Sequence, residues 1–128
     1  MIETALYTVL STAPEIIAIT TSDRIYPLVL PTDPTLPALT YQIIAAVPLQ
    51  PGLTPGVSVV KYRVQIDAWG TTYPDAVTLR SAVIDTLIPF TGAVGSVNIQ
   101  RILPLNQTDF FVHQALQYQC RAEFYIFA

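Results

Sequence analysis

A strand, a tight break and a helix follow one another between positions 58 and 88, SVVKYRVQIDAWGTTYPDAVTLRSAVIDTLI, and this run limits the folds open to the chain. From residue 59 to residue 69 the side chains alternate: Val60, Tyr62, Val64, Ile66 and Ala68 share one parity, and Lys61, Arg63, Gln65 and Asp67 the other. Period-two alternation marks a strand with one buried and one wetter face. Gly70 breaks it, Thr72 is placed to accept from the backbone amide of Asp75 as an N-cap, and Pro74 falls in the first helical turn, where a missing N–H costs nothing. The helix that follows sets Ala76, Leu79, Val83 and Leu87 on one line, widened by Val77, Ile84 and Ile88, with Thr78, Ser81 and Asp85 on the wet side. Arg80 breaks the pattern, because helical geometry puts it inside the apolar arc. Two roles fit it: a packed stem whose guanidinium reaches out to a carboxylate, or a contact with another subunit.

The other segments supply what this unit needs to pack against. Residues 2–12 place Ile2, Ala5, Leu6, Val9 and Leu10 at helical spacing, and Ile16, Ile17 and Ile19 after Pro14 extend it by a further turn or two. Residues 24–27 read as a very short strand stopped by Pro27, and the prolines at 31, 34 and 37 mark a loop. A second strand alternates Leu39, Tyr41, Ile43, Ala45 and Val47 against Thr40, Gln42, Ile44 and Ala46. Residues 48–57, PLQPGLTPGV, read as a proline-rich hairpin arm joining it to the next strand. A turn at 90–95, a strand over 96–103 and a loop from Pro104 to Asp109 lead into a last alternating strand carrying Tyr118, Cys120, Ala122, Phe124 and Ile126, which is expected to pair with the strand before the main helix. The expected fold is α+β, one domain over residues 1–128, with a mainly antiparallel sheet of about four to five strands and two main helices packed on one face.

The opposite sheet face is the informative one. It collects Arg63, Gln65, Asp67, Trp69, Gln117, Gln119 and Arg121 beside Thr40, Gln42, Lys61 and Glu123, a mixture that suits either a solvated sheet face or a contact with neighbouring copies. Hydrophobic residues make up 52% of the chain and charged residues only 12%, against a usual charged share of about 25%. So little charge leaves the surface of a free monomer poorly covered, and burial in an assembly would resolve this. The net charge of −3 lacks the electrostatic footprint of a protein that grips nucleic acid by its phosphates. No apolar run reaches the ~18 residues of a membrane span and no basic segment precedes an apolar one at the N-terminus, so the expected location is the cytosol.

Chemistry has little to rest on. His113 is the single histidine and Cys120 the single cysteine, the latter on the apolar parity of a strand, where a buried small hydrophobe is the expected role. Asp23, Asp33, Asp67, Asp75, Asp85 and Asp109 are scattered, and no triad, metal-ligand spacing or phosphate loop can be assembled. The expectation is therefore no catalytic, cofactor or metal site.

In order and spacing the chain resembles the small tail-completion or tail-terminator proteins of long-tailed bacteriophages. The resemblance is carried by Ala5-Leu6-Tyr7 in the first helix, Arg24-Ile25-Tyr26-Pro27, Leu36-Pro37-Ala38-Leu39-Thr40-Tyr41-Gln42, and Arg63-Val64-Gln65-Ile66-Asp67-Ala68-Trp69 running into Thr72-Tyr73-Pro74-Asp75-Ala76. It implies a structural virion protein at the tail neck, assembled in the host cytoplasm. Its copies would form a ring, usually of about six, that ends the tail tube and meets the head connector, while DNA passes through the lumen without sequence-specific binding. Its partners would be other copies of itself, the tail tube protein and the head-tail connector proteins. The candidate interface residues are Arg63, Gln65, Asp67, Trp69, Arg80, Gln117, Gln119 and Arg121, with Pro51, Leu53 and Pro55 of the arm. Two alternatives stand beside this reading: another neck or head-completion adaptor of the same particle, and a small cytosolic binding module.

Overall fold

The computed structural model describes residues 1–21, 24–32, 34–49 and 59–128. In chain order the elements are α1 (Ile2–Thr12), α2 (Pro14–Thr20), β1 (Ile25–Pro27), β2 (Ala38–Pro48), β3 (Val60–Gly70), α3 (Tyr73–Leu87), β4 (Gly92–Val94), β5 (Val97–Ile99), β6 (Arg101–Val112) and β7 (Gln117–Phe127). Five of these strands form one sheet in the order β1-β2-β3-β7-β6, in which the short β1–β2 pair is parallel and every other pair antiparallel. The expected α+β fold with a mainly antiparallel sheet is the fold observed.

The central unit forms as its sequence dictates. Thr72 Oγ1 accepts from Asp75 N at 3.3 Å and Pro74 sits in the first turn of α3. Ala76, Leu79, Val83 and Leu87 are all buried against the sheet. Gly70 has a steric reason to be glycine, since a Cβ there would lie 2.9 Å from the backbone nitrogen of Ala76. The strand can turn into the helix this tightly only without a side chain at that position.

α1 buries Ile2, Ala5, Leu6, Val9 and Leu10, the stripe read from its spacing, and Pro14 restarts the chain as α2. The end of α2 is closed by a residue from beyond it: Arg24 donates from Nε to the carbonyl of Thr20 at 2.6 Å and from Nη2 to that of Ile19 at 3.0 Å. A cation on the last carbonyls satisfies orphan acceptors and suits the helix dipole. The helices cover one sheet face, where Val64, Ile66 and Ala68 of β3 lie beside Phe124, Ala122 and Cys120 of β7 in a continuous core.

Three expectations need correcting. Pro104 does not open a loop: β6 runs through it to Val112, because an edge strand tolerates proline and an irregularity between Pro104 and Asn106 absorbs the misfit. Val112 thus ends β6, and His113 and Leu116 lie in the turn joining β6 to β7. In β2 a bulge between Ile43 and Ala45 moves Ala45 and Val47 to the face opposite Tyr41 and Ile43, opposite Arg63 and Lys61. Finally, residues 92–99 make a small ribbon, β4 with β5, where a turn and the start of a longer strand were expected. The proline-rich arm, with Pro51, Leu53 and Pro55, lies outside the described residues apart from its first two, Pro48 and Leu49.

Candidate functional surface

The sheet face turned away from the helices assembles most of the residues singled out in the sequence. Register sets them in rows from β2 to β6: Val47, Lys61, Phe127 and Arg101; Ala45, Arg63, Tyr125 and Leu103; Gln42, Gln65, Glu123 and Asn106; Thr40, Asp67, Arg121 and Thr108; Ala38, Trp69, Gln119 and Phe110. Gln117 continues the face beyond the last row, opposite Val112.

The two carboxylates of this face are satisfied within it. Arg121 Nε donates to Asp67 Oδ1 at 3.0 Å, and Gln65 Nε2 donates to Asp67 Oδ2 at 2.9 Å. Arg63 donates from Nη2 and Nε to Glu123 Oε2 at 2.7 and 3.2 Å, and the bond to Glu123 raises the Arg63 guanidinium above its ordinary pKa. Trp69 Nε1 donates to Thr40 Oγ1 at 2.9 Å. Lys61 lies 4.0 Å from the centroid of the Tyr125 ring, and the Arg121 guanidinium 4.8 Å from that of Phe110. Asp67 and Glu123 are only 6% and 7% exposed although no helix covers them, because these neighbouring side chains roof them over. Among the described residues no buried side-chain donor or acceptor lacks a partner. A surface whose carboxylates are saturated in this way presents neither a free general base nor a charge that must be met by a ligand.

Arg80 lies on the other side of the sheet. Its guanidinium pairs with Asp109 of β6, and the Tyr73 hydroxyl donates to the same carboxylate. The Tyr73 bond holds the Asp109 carboxyl below its usual range, burial opposes this, and Arg80 adds to the lowering. The first of the two roles set out for Arg80, a packed stem reaching a carboxylate, is thus present within one chain. Cys120, at the floor of this cluster, is fully buried, and burial pushes its thiol pKa up. No group of three or more metal-capable side chains occurs among the described residues, and no single helix among them is long and apolar enough to cross a membrane.

Sequence reading missed Glu123 and Asp109 as partners and missed the exposed sheet edges. Large apolar side chains concentrate there: Ile44, Val47 and Leu49 on and just after β2, and Leu105, Phe110 and Phe111 on β6. The signal for the second set is the alternation that resumes after Pro104, and a loop assignment erases it.

Comparison with known proteins bears on what such a surface serves. No curated protein matches the sequence. Among solved structures, a chain from the "virion of native gene transfer agent (GTA) particle" superposes with a TM-score of 0.72 at 14% identity, covering 98% of this chain and 92% of that one. The likeness at that identity is one of fold. The sequence itself matches the family of tail completion protein gp17 over residues 4–127. The chain therefore belongs to the tail completion protein gp17 family, structural proteins of the bacteriophage tail.

Proposed function

We propose that this protein forms a ring that ends the tail tube and joins it to the head connector. Membership of the tail completion family over nearly the whole chain is the observation that carries this reading, and the shared fold with a chain of a virion-like particle supports it. The surface chemistry agrees. A closed ring needs two unlike patches on each copy, and Ile44, Val47 and Leu49 at one edge of the sheet and Leu105, Phe110 and Phe111 at the other supply exposed apolar side chains for them. On the uncovered face Asp67 and Glu123 are paired with Arg121 and Arg63, and among the described residues only Lys61 and Arg101 stand there without a carboxylate, so few charges are free to hold DNA as it passes. Within the ring reading the copies number about six, as the family resemblance implies for a closed cyclic assembly. The protein acts at the neck by binding and without catalysis.

The test is removal of the gene from cells that make the particle, with the products imaged by electron microscopy. Free heads beside tails that are overlong or unjoined, restored by the intact gene, are the expected result. Complete particles in its absence would refute the role. A defect confined to heads, with tails of normal length carrying this chain nowhere, would instead assign it to a head-completion adaptor.

A further inference from the structure

Sheet edges are normally guarded, because a row of unpaired N–H and C=O groups will pair with any strand that fits. This sheet leaves half of each outer long strand without a partner strand among the described residues, and the guards that β2 carries there are the bulge between Ile43 and Ala45 and the terminal Pro48. On one side β1 covers only Leu39, Thr40 and Tyr41 of β2, leaving residues 42–48 without a neighbour among the described residues. No charged residue occurs anywhere in β2. On the other side β6 has no further strand beside it among the described residues. Pro104 and the irregularity after it blunt the first half of β6, whereas residues 106–112 continue as regular strand. Their one charged side chain, Asp109, is held by Arg80 and Tyr73. The two open segments are equal in length.

We infer that residues 106–112 of β6 in one copy pair antiparallel with residues 42–48 of β2 in the next, so that the sheets of all copies join into one continuous closed wall. This rests on the ring reading above and specifies its interface. Strand direction supports it. β2, β3, β7 and β6 alternate along the sheet, so β6 runs opposite to β2. A neighbour's β2 laid beside β6 continues the alternation without a break, and the order repeats at every junction around a cyclic assembly. The stagger supports it too. The open part of β2 lies toward the Val47 and Arg101 end of the sheet and the open part of β6 toward the Trp69 and Phe110 end. Joining them offsets neighbouring sheets along the strands, as closing a sheet into a barrel of tilted strands requires.

Side chains give the junction a lock. Phe110 remains 40% exposed although Arg121 stacks on it, and it stands on the uncovered face of β6. Ala45 stands on the uncovered face of β2, beside a shallow recess of about 270 Å3 lined by Ala45, Val47, Leu49, Lys61, Arg63 and Tyr125. A register that sets Phe110 opposite Ala45 brings the ring to this recess, the arrangement of an aromatic anchor in a pocket. Closure also fixes which way the sheet curves. The helices occupy one face, so the bulky layer takes the convex side and the uncovered face lines the channel.

Disulfide trapping tests the junction. Ala45→Cys is combined in turn with Asn106→Cys, Thr108→Cys and Phe110→Cys, three registers on one face, and particles made with each variant are oxidised and run under denaturing, non-reducing conditions. Within one copy the two positions are separated by three strand spacings, about 14 Å, beyond the ~7 Å reach of a disulfide. Any bond between them therefore joins two copies, and Cys120 is too buried to compete. At least one double variant is expected to give a ladder of covalent oligomers ending at the closed ring, while every single-cysteine variant stays monomeric. Covalent dimers from Ala45→Cys alone would overturn the inference, because they mean a two-fold contact of β2 with itself. Particles that contain the chain but give no ladder from any double variant would overturn it as well. Absence of the chain from particles sinks the tail-completion role instead, and oxidation of the purified protein across a concentration series then decides the edges, a persistent monomer refuting them.

Discussion

Replacing Arg121 by Met should cost far more than loss of a surface charge. Among the described residues the Arg121 guanidinium is the only cation bonded to Asp67, whose side chain is 8% exposed, and its removal leaves that carboxylate with the Gln65 amide as its remaining side-chain partner there. A hydrogen bond to a charged group is worth about 1.5–3 kcal/mol, more when the survivor stays buried and unpaired. Loss of the stack on Phe110 adds about 0.5 kcal/mol. The Arg121 side chain is itself 27% exposed, so water recovers part of the penalty. The expected net loss is about 2–3 kcal/mol, or a fall in Tm of roughly 10 °C for a domain of this size.

Urea unfolding followed by the fluorescence of Trp69, the single tryptophan, measures this directly. It is run where the midpoint does not depend on protein concentration, since self-association would add apparent stability. The decisive comparison is a double-mutant cycle with Asp67→Asn, which removes the charge that Arg121→Met strands. The double variant should recover at least ~1 kcal/mol relative to the sum of the singles. A single variant within ~0.5 kcal/mol of wild type, or strict additivity in the cycle, would show that the pair is an ordinary solvated contact and that the buried-network reading is wrong.

Other perturbations probe other parts of the fold. Gly70→Ala forces a Cβ against the backbone of Ala76 and should destabilise by about 2 kcal/mol; a neutral result in thermal unfolding would show that the strand-to-helix junction has slack. Arg24→Met frees two carbonyls at the end of α2 and should cost about 1–2 kcal/mol, with faster amide exchange confined to α2 and β1 as its signature. Asp109 has its pKa lowered, first by Tyr73 and, against burial, by Arg80, so its contribution is present above the unfolded value of about 3.9 and is lost as pH falls through the lower folded value. Asp109→Asn should therefore cost about 1 kcal/mol at pH 7, a figure reduced by the exposure of the carboxylate, and the gap to wild type should begin to narrow near pH 4 and close once pH lies below the folded value; a gap that does not narrow on this descent would mean the loss is one of shape and not of charge.

Legibility in the sequence followed the range of the interactions. The Thr72 cap, the Pro74 turn, the α3 stripe and the period of β3 are all set within a few residues, and each can be read from them. The pairing of β3 with β7 was readable for a different reason: two long strands with matching alternation leave little freedom of register. What escaped was whatever a single inserted residue changes. A bulge at Ile44 moves Ala45 and Val47 to the opposite face, and nothing local in QIIAAV announces it. Pro104 announced a loop by its chemistry, yet at an outer strand its missing N–H offends no neighbour. Parity placed Arg63, Gln65, Asp67, Trp69, Gln117, Gln119 and Arg121 on one face, where register sets them, whereas Arg80 lies on the other side of the sheet. Their partners depended on register across strands some sixty residues apart in sequence, as with Arg63 and Glu123, and period-two reasoning carries no such information.

In the ring reading the residues divide between two tasks, and the division is itself testable. Asp67, Arg121, Arg63 and Glu123 pair within the copy, so their energies belong to folding. Ile44, Val47, Phe110 and Phe111 remain exposed at the edges, so in the ring reading their burial energy belongs to assembly. Substitutions in the first group should lower the unfolding midpoint while leaving assembly intact in whatever fraction folds. Lys substitutions at Ile44 and Val47 of the second should leave the isolated fold near wild type, since exposed sites away from special features shift stability by only about 0.5 kcal/mol. They should nevertheless abolish incorporation into particles, because a charge on a strand edge is a guard against pairing. The low charge of the sequence then has a direct cause. If the edges accept another copy, they cannot carry the lysines that protect the edges of a monomer, and both carboxylates of the uncovered face are already paired within the copy.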